Sequence, residues 1–149
     1  MKKLNSLFFA LLFLCVLPKN FVFADTVSET KAPDFTLTDT NAQPQALSAY
    51  QGKFVVLEWN NPDCPFVKKH YSSGNMQNLQ KSFTEKGVIW LTVTSSAPGK
   101  QGNYSAEARN EMAEKDGSHA TAILLDTDGK VGKLYSAQTT PHMFVINPD

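Results

Sequence analysis

The chain has 149 residues, which is the length of a single domain. It carries 14 acidic residues and 14 lysine and arginine residues, so its formal net charge is zero. The only arginine is Arg109, and no basic stripe is present, which gives no electrostatic support for binding to nucleic acid.

The first 24 residues have the layout of a secretory signal peptide. A short basic start precedes an apolar stretch, Leu7 to Leu17, and the segment ends on the small residue Ala24. The apolar stretch is too short to span a bilayer well, so we expect no stable membrane span after cleavage, with an uncleaved anchor as the alternative. Three of the 14 basic residues lie here, which leaves 11 against 14 acidic ones. We therefore expect an exported protein, periplasmic or secreted, of bacterial type.

The mature domain, residues 25–149, alternates between strand-like and helix-like segments. In chain order, the patterns predict a strand at 35–38, a strand at 54–59, a helix from 64 that is interrupted at 72–75 and resumes to 87, a strand at 88–93, a helix at 105–115, a strand at 122–125, a short helix at 130–136 and a strand at 143–146. The run at 54–59 is almost wholly apolar, which is typical of a central strand covered on both faces. The alternation predicts an α/β domain with helices on the faces of a sheet.

The sequence stops in a turn-like segment, Asn147–Asp149, directly after the last predicted strand. A strand left there would be an open sheet edge, which is a liability for a folded protein. We therefore expect the domain to be incomplete and to continue beyond Asp149.

Removal of the signal peptide would also remove Cys15 and leave Cys64 as a single cysteine. Exported proteins usually pair their cysteines, so a single one indicates a reactive thiol, a metal ligand, a partner in another chain or a buried bystander. At the start of a helix, free N–H groups and a partial positive charge stabilise the thiolate, which is the nucleophilic form. Lys68 lies one turn further on and acts in the same direction, whereas Asp63 opposes it.

The segments around this thiol resemble those of the thioredoxin-like redoxin family. The run "VVLEW" before Cys64 resembles the strand before the redox helix of thioredoxins, and "APDFTLTDTNAQPQALSAYQGK" resembles the opening of the redoxins. The closer match is to exported peroxiredoxin-like proteins (alkyl hydroperoxide reductase and thiol-specific antioxidant type), through "CPFVKKHY", "GNM" and "TPHMFVI". The resemblance covers residues 32–149 and implies a thioredoxin-like fold, in which helices flank a central mixed sheet.

The resemblance places Cys64 at the attacking cysteine of the thioredoxin Cys-x-x-Cys motif, whose second position is Val67 in this chain. No neighbouring thiol is then available to resolve a mixed disulfide, although related proteins often carry another cysteine further toward the C-terminus. Glu58 falls where thioredoxins hold a buried acid that can carry a proton. An acid with polar neighbours at the end of a strand is an equal alternative.

The resemblance also places Thr140 and Pro141 in the loop whose cis-proline faces the attacking cysteine and binds substrate backbone, with an ordinary trans proline as the alternative. His142 follows this loop. Together with Lys68 it is a candidate thiolate partner, unless its side chain points into solvent.

Cys64 and Pro65 also resemble the peroxidatic Cys-Pro of peroxiredoxins. Those enzymes hold the peroxide with a threonine or serine three residues before the cysteine and with an arginine from a later strand. Here these positions are Asn61 and Pro141, and Arg109 lies on a different predicted element. The resemblance therefore favours thiol-disulfide exchange over peroxide reduction. It implies a disulfide or peroxide substrate, protein or small molecule, an external thiol as reductant and no cofactor.

Two other classes of function stay open. A non-catalytic thioredoxin-fold binding domain is consistent with the missing second cysteine. A copper-binding protein of the Sco type would use Cys64 and His142, which are soft ligands. Two ligands make a poor site, so we predict no metal centre.

Overall fold

The structure is a computed structural model that describes residues 31–149, so the predicted signal peptide lies outside the described residues. The strands are β1 (Thr36–Asp39), β2 (Pro44–Ala46), β3 (Val55–Trp59), β4 (Ile89–Thr94), β5 (Ala122–Leu125) and β6 (His142–Ile146). The α-helices are α1 (Pro65–Ser72), α2 (Asn75–Thr84), α3 (Ala106–Asp116) and α4 (Lys130–Leu134). Within residues 31–149, every helix is too short or too polar to cross a bilayer.

The six strands form one sheet in the order β2-β1-β5-β4-β3-β6. Strands β3, β4 and β5 run parallel to one another, and the outer pairings of β6, β1 and β2 are antiparallel. The sheet is therefore mixed, as predicted, and the parallel strands are joined through helices that cover its faces. The apolar run predicted to be central is β3, which is buried along its whole length.

Alternate residues of β3 and β4 build two different faces of the sheet. Val55, Leu57 and Trp59 pack with Leu91 and Val93 in a continuous hydrophobic cluster, which we call the apolar face. The opposite side, which we call the polar face, carries Val56, Glu58, Asn60, Trp90, Thr92 and Thr94, all of them buried. Because side chains alternate along a strand, one buried run supplies both faces.

Aromatic rings close the apolar face and hold β6 in place. The ring of Trp59 lies 5.6 Å from that of Tyr135 and 5.3 Å from that of Phe144, in tilted and edge-to-face arrangements. Such pairs add about 0.5–1.5 kcal/mol each beyond their buried area. Phe144 belongs to β6, so this packing fixes the strand that follows the Thr140–Pro141 segment.

The sequence patterns did not predict β2 or the 3₁₀ turn at Leu47–Tyr50, which lie between the first two predicted strands. Strand β2 has only three residues, and it exists because it pairs with β1 in the register Thr36 to Ala46. Its proline occupies an edge strand, where the missing N–H is tolerated. Pairing between strands, and not local propensity, defines this element.

Candidate active site

Cys64 is the N-cap residue of α1 and is partly exposed. Its own N–H donates to the Asn61 carbonyl at 3.0 Å, and its carbonyl accepts from the Lys68 N–H at 2.9 Å. Pro65 is the first helical residue, where its missing N–H would have had no partner within the helix. The thiol therefore projects from a defined turn at the end of β3, beside the free N–H groups of the first helical turn.

The segment before β6 lies against this thiol. Strand β6 pairs with β3 so that His142 is opposite Trp59, which brings the preceding residues to the end of β3 where the thiol loop begins. The Cys64 Sγ atom lies 3.1 Å from the Thr140 carbonyl oxygen, and the Thr140–Pro141 peptide bond is cis. The structure thus brings together three of the predicted site residues, although they are separated by 76 positions in the chain.

The surroundings of Cys64 favour its ionised form. A hydrogen bond with the Thr140 side chain lowers the pKa of Cys64, partial burial opposes this, and the N–H groups of Val67 and Phe66 lower it further. The backbone carbonyl of Thr140 accepts from the protonated thiol and favours that form. Thr140 therefore has a carbonyl that suits the thiol and a side chain that suits the thiolate. The net direction of the pKa is downward, which increases the thiolate fraction at neutral pH.

The two predicted thiolate partners have other neighbours in the structure. The Lys68 ammonium lies 3.9 Å from an Asp63 carboxylate oxygen. The His142 ring lies 4.4 Å from the Phe144 ring, and its Nδ1 is 3.4 Å from the Gln138 N–H. Neither side chain is among the groups that shift the Cys64 pKa. The thiolate is stabilised by backbone N–H groups and Thr140 instead of by a cationic side chain.

Glu58 is completely buried, and four side chains donate to its carboxylate. Oε1 accepts from the Asn60 amide at 3.0 Å and the Tyr71 hydroxyl at 2.8 Å. Oε2 accepts from the Gln80 amide at 3.1 Å and the Trp90 indole at 2.8 Å. All four donors match a carboxylate, which is acceptor-only. Burial, followed by the nearby Glu58 charge, raises the pKa of Tyr71, so its hydroxyl remains a donor.

The buried network continues from Glu58 to Arg109. Asn60 donates to Glu58 through its amide and accepts from the Arg109 Nη2 atom at 3.2 Å through its carbonyl. Arg109 is only 5% exposed. Sequence reasoning placed Arg109 on a separate element but missed that it faces the same network. It also missed Asn60, Tyr71, Gln80 and Trp90, which lie directly after β3, in α1, in α2 and in β4, respectively.

A second loop packs against the thiol loop from the side of α3. The Asp63 carboxylate accepts hydrogen bonds from the Gly102 N–H at 3.0 Å and the Tyr104 hydroxyl at 2.9 Å. Gly102 has φ of +82°, and a Cβ atom built there would lie 2.4 Å from the Asn61 side-chain oxygen. The positive φ therefore favours glycine at this position, and a side chain there would displace the end of the Asn61 side chain. Asp63, which the sequence predicted to oppose the thiolate, is held by this loop.

Among residues 31–149, no three His, Cys, Asp or Glu side chains lie close enough together to bind one metal ion. Cys64 and His142 thus have no third ligand of these types within the described part of the chain.

Comparisons with known proteins agree with this geometry. The model of the AhpC/TSA family matches residues 29–149. The thiol-disulfide oxidoreductase ResA of Bacillus subtilis is 33% identical over 159 residues, an alignment that covers 100% of this chain and 83% of ResA.

Solved structures support the same fold. An uncharacterized conserved protein from Geobacillus kaustophilus superimposes with a TM-score of 0.72 at 25% identity over 80% of this chain. The match covers 63% of that protein, so this chain spans less than two thirds of it. The thioredoxin domain of a thiol-disulfide oxidoreductase from Bacteroides vulgatus gives a TM-score of 0.60 at 21% identity, over 80% of both chains. The fold is thioredoxin-like, as predicted, and the chain belongs to the AhpC/TSA family.

Proposed function

We propose that this protein is an exported thiol-disulfide oxidoreductase that acts through Cys64. The observation that carries this proposal is the position of the Cys64 thiol at the N-cap of α1, 3.1 Å from the carbonyl of Thr140, with a lowered pKa. The similarity to ResA, which is named a thiol-disulfide oxidoreductase, supports the same chemistry.

The reaction begins with attack of the Cys64 thiolate on one sulfur of a substrate disulfide. A new sulfur–sulfur bond forms to Cys64, the substrate disulfide breaks, and the second substrate sulfur leaves as a thiolate. The Thr140 and Pro141 backbone next to the thiol would bind the extended substrate chain. Once Cys64 has ionised, the Thr140 carbonyl no longer accepts from the thiol and is available to a substrate N–H.

The position of a second thiol is occupied by a buried valine. Val67 is 3% exposed and lies one helical turn from Cys64, so the mixed disulfide has no resolving thiol beside it in α1. An external thiol must then attack it, which returns the Cys64 thiolate and transfers the substrate sulfur to the external thiol. The net reaction of the described domain is exchange between a disulfide and an external thiol.

Disulfide exchange is favoured over peroxide reduction by the surroundings of Arg109. A peroxidase needs an arginine that polarises the peroxide bound to the thiolate, but Arg109 is buried and donates to Asn60. Cys64 is not among the residues that line the cavity next to Arg109. At the position three residues before Cys64, the Asn61 side chain accepts from the Asp63 N–H at 2.9 Å.

Glu58 has a structural role in this proposal. The sequence left open whether it carries a proton or only has polar neighbours. Its four donors favour the second interpretation, because each of them takes up a lone pair of the two carboxylate oxygens. Export is proposed from the pattern of residues 1–24 alone, and with it a periplasmic or secreted location.

The proposal is tested with a fluorescent peptide in mixed disulfide with glutathione, with reduced glutathione as the external thiol. The wild-type chain should accelerate release of the peptide thiol, and Cys64→Ser should reduce the rate to that of buffer. A residual rate in this variant would refute a mechanism through Cys64.

Val67→Cys tests the effect of adding a second thiol at the resolving position. Val67→Ser is its matched control, because serine has nearly the same size as cysteine but carries no thiol. On oxidation, Val67→Cys should lose two hydrogens by mass spectrometry and gain the ability to reduce insulin disulfides stoichiometrically. Val67→Ser should gain neither property. If Val67→Cys forms no intramolecular disulfide while Cys64 remains reactive, residue 67 does not occupy the resolving position.

A further inference from the structure

A cavity within residues 31–149 lies between α1 and α3, with the polar face of the sheet as its floor. Its volume is about 480 Å³, which is within the range of small-ligand sites. Asn60, Thr92 and Ile123 form the floor, Val67 and Tyr71 the wall from α1, and Arg109 and Met112 the wall from α3. Cys64 does not line it, so this cavity is separate from the thiol.

Arg109 lines the cavity with part of its guanidinium group unpartnered. Its Nη2 atom donates to the neutral Asn60 amide oxygen, whereas its buried Nε–H finds no acceptor among residues 31–149. No carboxylate among these residues forms an ion pair with it. Arginine stays charged, and a buried charge without a directly bonded partner of opposite sign is costly, although the nearby Glu58 and Asp116 charges offset part of this cost. The Nε–H and an adjacent N–H of a guanidinium match the two oxygens of a carboxylate.

Thr92 is a second unpartnered group on the floor of the same cavity. It is 3% exposed, lies opposite Glu58 in the pairing of β3 and β4, and its hydroxyl has no hydrogen-bond partner among the described residues. A buried hydroxyl normally has a partner, since desolvation without one costs about 1–3 kcal/mol. Two buried donors without acceptors therefore line one cavity.

The charges and the apolar walls narrow the class of ligand. Three cations line the cavity, Arg109, Lys68 and Lys115, against the two carboxylates of Asp63 and Asp116. The Glu58 carboxylate lies beneath the floor and accepts from Asn60 and Tyr71, so the charges balance, and the three carboxylates oppose a dianion such as phosphate more than a monoanion. The side chains of Val67, Met112 and Ile123 offer apolar contacts to a hydrocarbon group.

We propose that this cavity binds a small organic carboxylate, whose oxygens accept hydrogen bonds from the Arg109 guanidinium and the Thr92 hydroxyl. The hydrocarbon part lies against the apolar side chains contributed by α1, α3 and β5. The site does not depend on the reactivity of Cys64, so its existence and the proposed exchange activity can fail separately.

The test is calorimetric titration of the full chain with sodium benzoate, with benzyl alcohol as the uncharged analogue and inorganic phosphate as the dianion. Benzoate should bind, and benzyl alcohol and phosphate should bind at least about tenfold more weakly, in line with the loss of a charge-assisted hydrogen bond. Arg109→Met should weaken benzoate binding by at least about tenfold, and Thr92→Val by about threefold or more. Lys133→Met, which removes an exposed charge of the same sign outside the cavity, should change it by less than about twofold.

Several results would overturn the proposal. Absence of benzoate binding, equal binding of benzyl alcohol, or tighter binding of phosphate would each contradict a carboxylate site. If Arg109→Met fails to fold, Thr92→Val decides the matter, because removal of an unpartnered hydroxyl leaves the packing intact; unchanged benzoate affinity in that variant would refute the assignment. Binding that is retained in Cys64→Ser would show that the site is independent of the thiol. Loss of binding in this variant would contradict a cavity site that is separate from Cys64.

Discussion

The two faces of the central sheet are built from neighbouring residues of the same strands, yet they stabilise the protein in different ways. The apolar face is continuous hydrocarbon and aromatic packing, closed by Trp59, Tyr135 and Phe144. The polar face centres on Glu58, whose four partners satisfy it completely, while Thr92 and the Arg109 Nε–H at the edge of the same network are left without partners.

This difference divides the buried polar network into two parts. One part has all its hydrogen bonds made and is structural, and the other has unpaired donors beside the proposed ligand site. Hydrogen bonds that are already made around Glu58 specify how β3, β4, α1 and α2 fit together. Thr92 and Arg109, which keep unpaired donors, line a cavity. Substitutions on the two faces should therefore differ in kind as well as in size.

The largest effect is expected on the apolar face. Leu57 is completely buried, and Leu57→Ala should lower the free energy of unfolding by about 2–5 kcal/mol, because it removes methyl groups and leaves a cavity. Urea denaturation followed by tryptophan fluorescence measures this. A loss of less than about 1 kcal/mol would mean that the face repacks freely, contrary to the close aromatic contacts described.

On the polar face, Glu58→Gln should lower the free energy of unfolding by about 1–3 kcal/mol, since the new amide group points N–H donors at donors that need an acceptor. The control is Glu111→Gln on the exposed side of α3, which should stay within about 0.5 kcal/mol of the wild type. Equal stability of the two variants would show that the Glu58 carboxylate is not the centre of the network.

Adjacent residues of β4 offer a smaller but sharper comparison. Val93→Thr places a hydroxyl in the apolar face and should cost about 1–2 kcal/mol of unfolding free energy. Thr92→Val removes a hydroxyl that has no partner and should be neutral or stabilising by up to about 1 kcal/mol. If denaturation shows the opposite order, the two faces do not have the chemistry assigned to them.

The smallest effect on stability is expected at the thiol, at the end of β3 where the two faces meet. The lowered pKa of Cys64 means that its thiolate stabilises the fold above the pKa of the unfolded thiol, and this contribution disappears as the pH falls through the folded pKa. The rate of alkylation by iodoacetamide should therefore reach half its maximum at a lower pH in the folded chain than in urea. An equal or higher midpoint in the folded chain would contradict an activated thiol.

Much of the fold could be predicted because the signals are local. The buried run of β3, the proline after Cys64 and the break between α1 and α2 each follow from short stretches of sequence. Strand β2 could not be predicted in this way, because its three residues depend on a partner strand. The cysteine and the Thr140–Pro141 segment were predicted as site residues because the resemblance, and not their spacing, brings them together.

The buried network was not predictable residue by residue, because its members come from separate elements and none has a local signature. One signal was present: polar residues at every second position of two otherwise apolar strands, Glu58 and Asn60 in and after β3, and Thr92 and Thr94 in β4. With a period of two, that pattern indicates a polar stripe on one side of a buried sheet. It does not indicate which helix supplies the partners.

The close contact between Gly102 and Asn61 sets a condition for any exchange of loops between this domain and its relatives. The loop before α3 contributes the Gly102 N–H and the Tyr104 hydroxyl to Asp63, next to the cysteine, and the Asn61 side chain occupies the space that a Cβ atom at position 102 would take. Residues 61–63 and 102–104 thus form one transplantable unit. A graft that carries the cysteine loop alone would lose the two donors to Asp63 and would place the Asn61 side chain against a foreign residue.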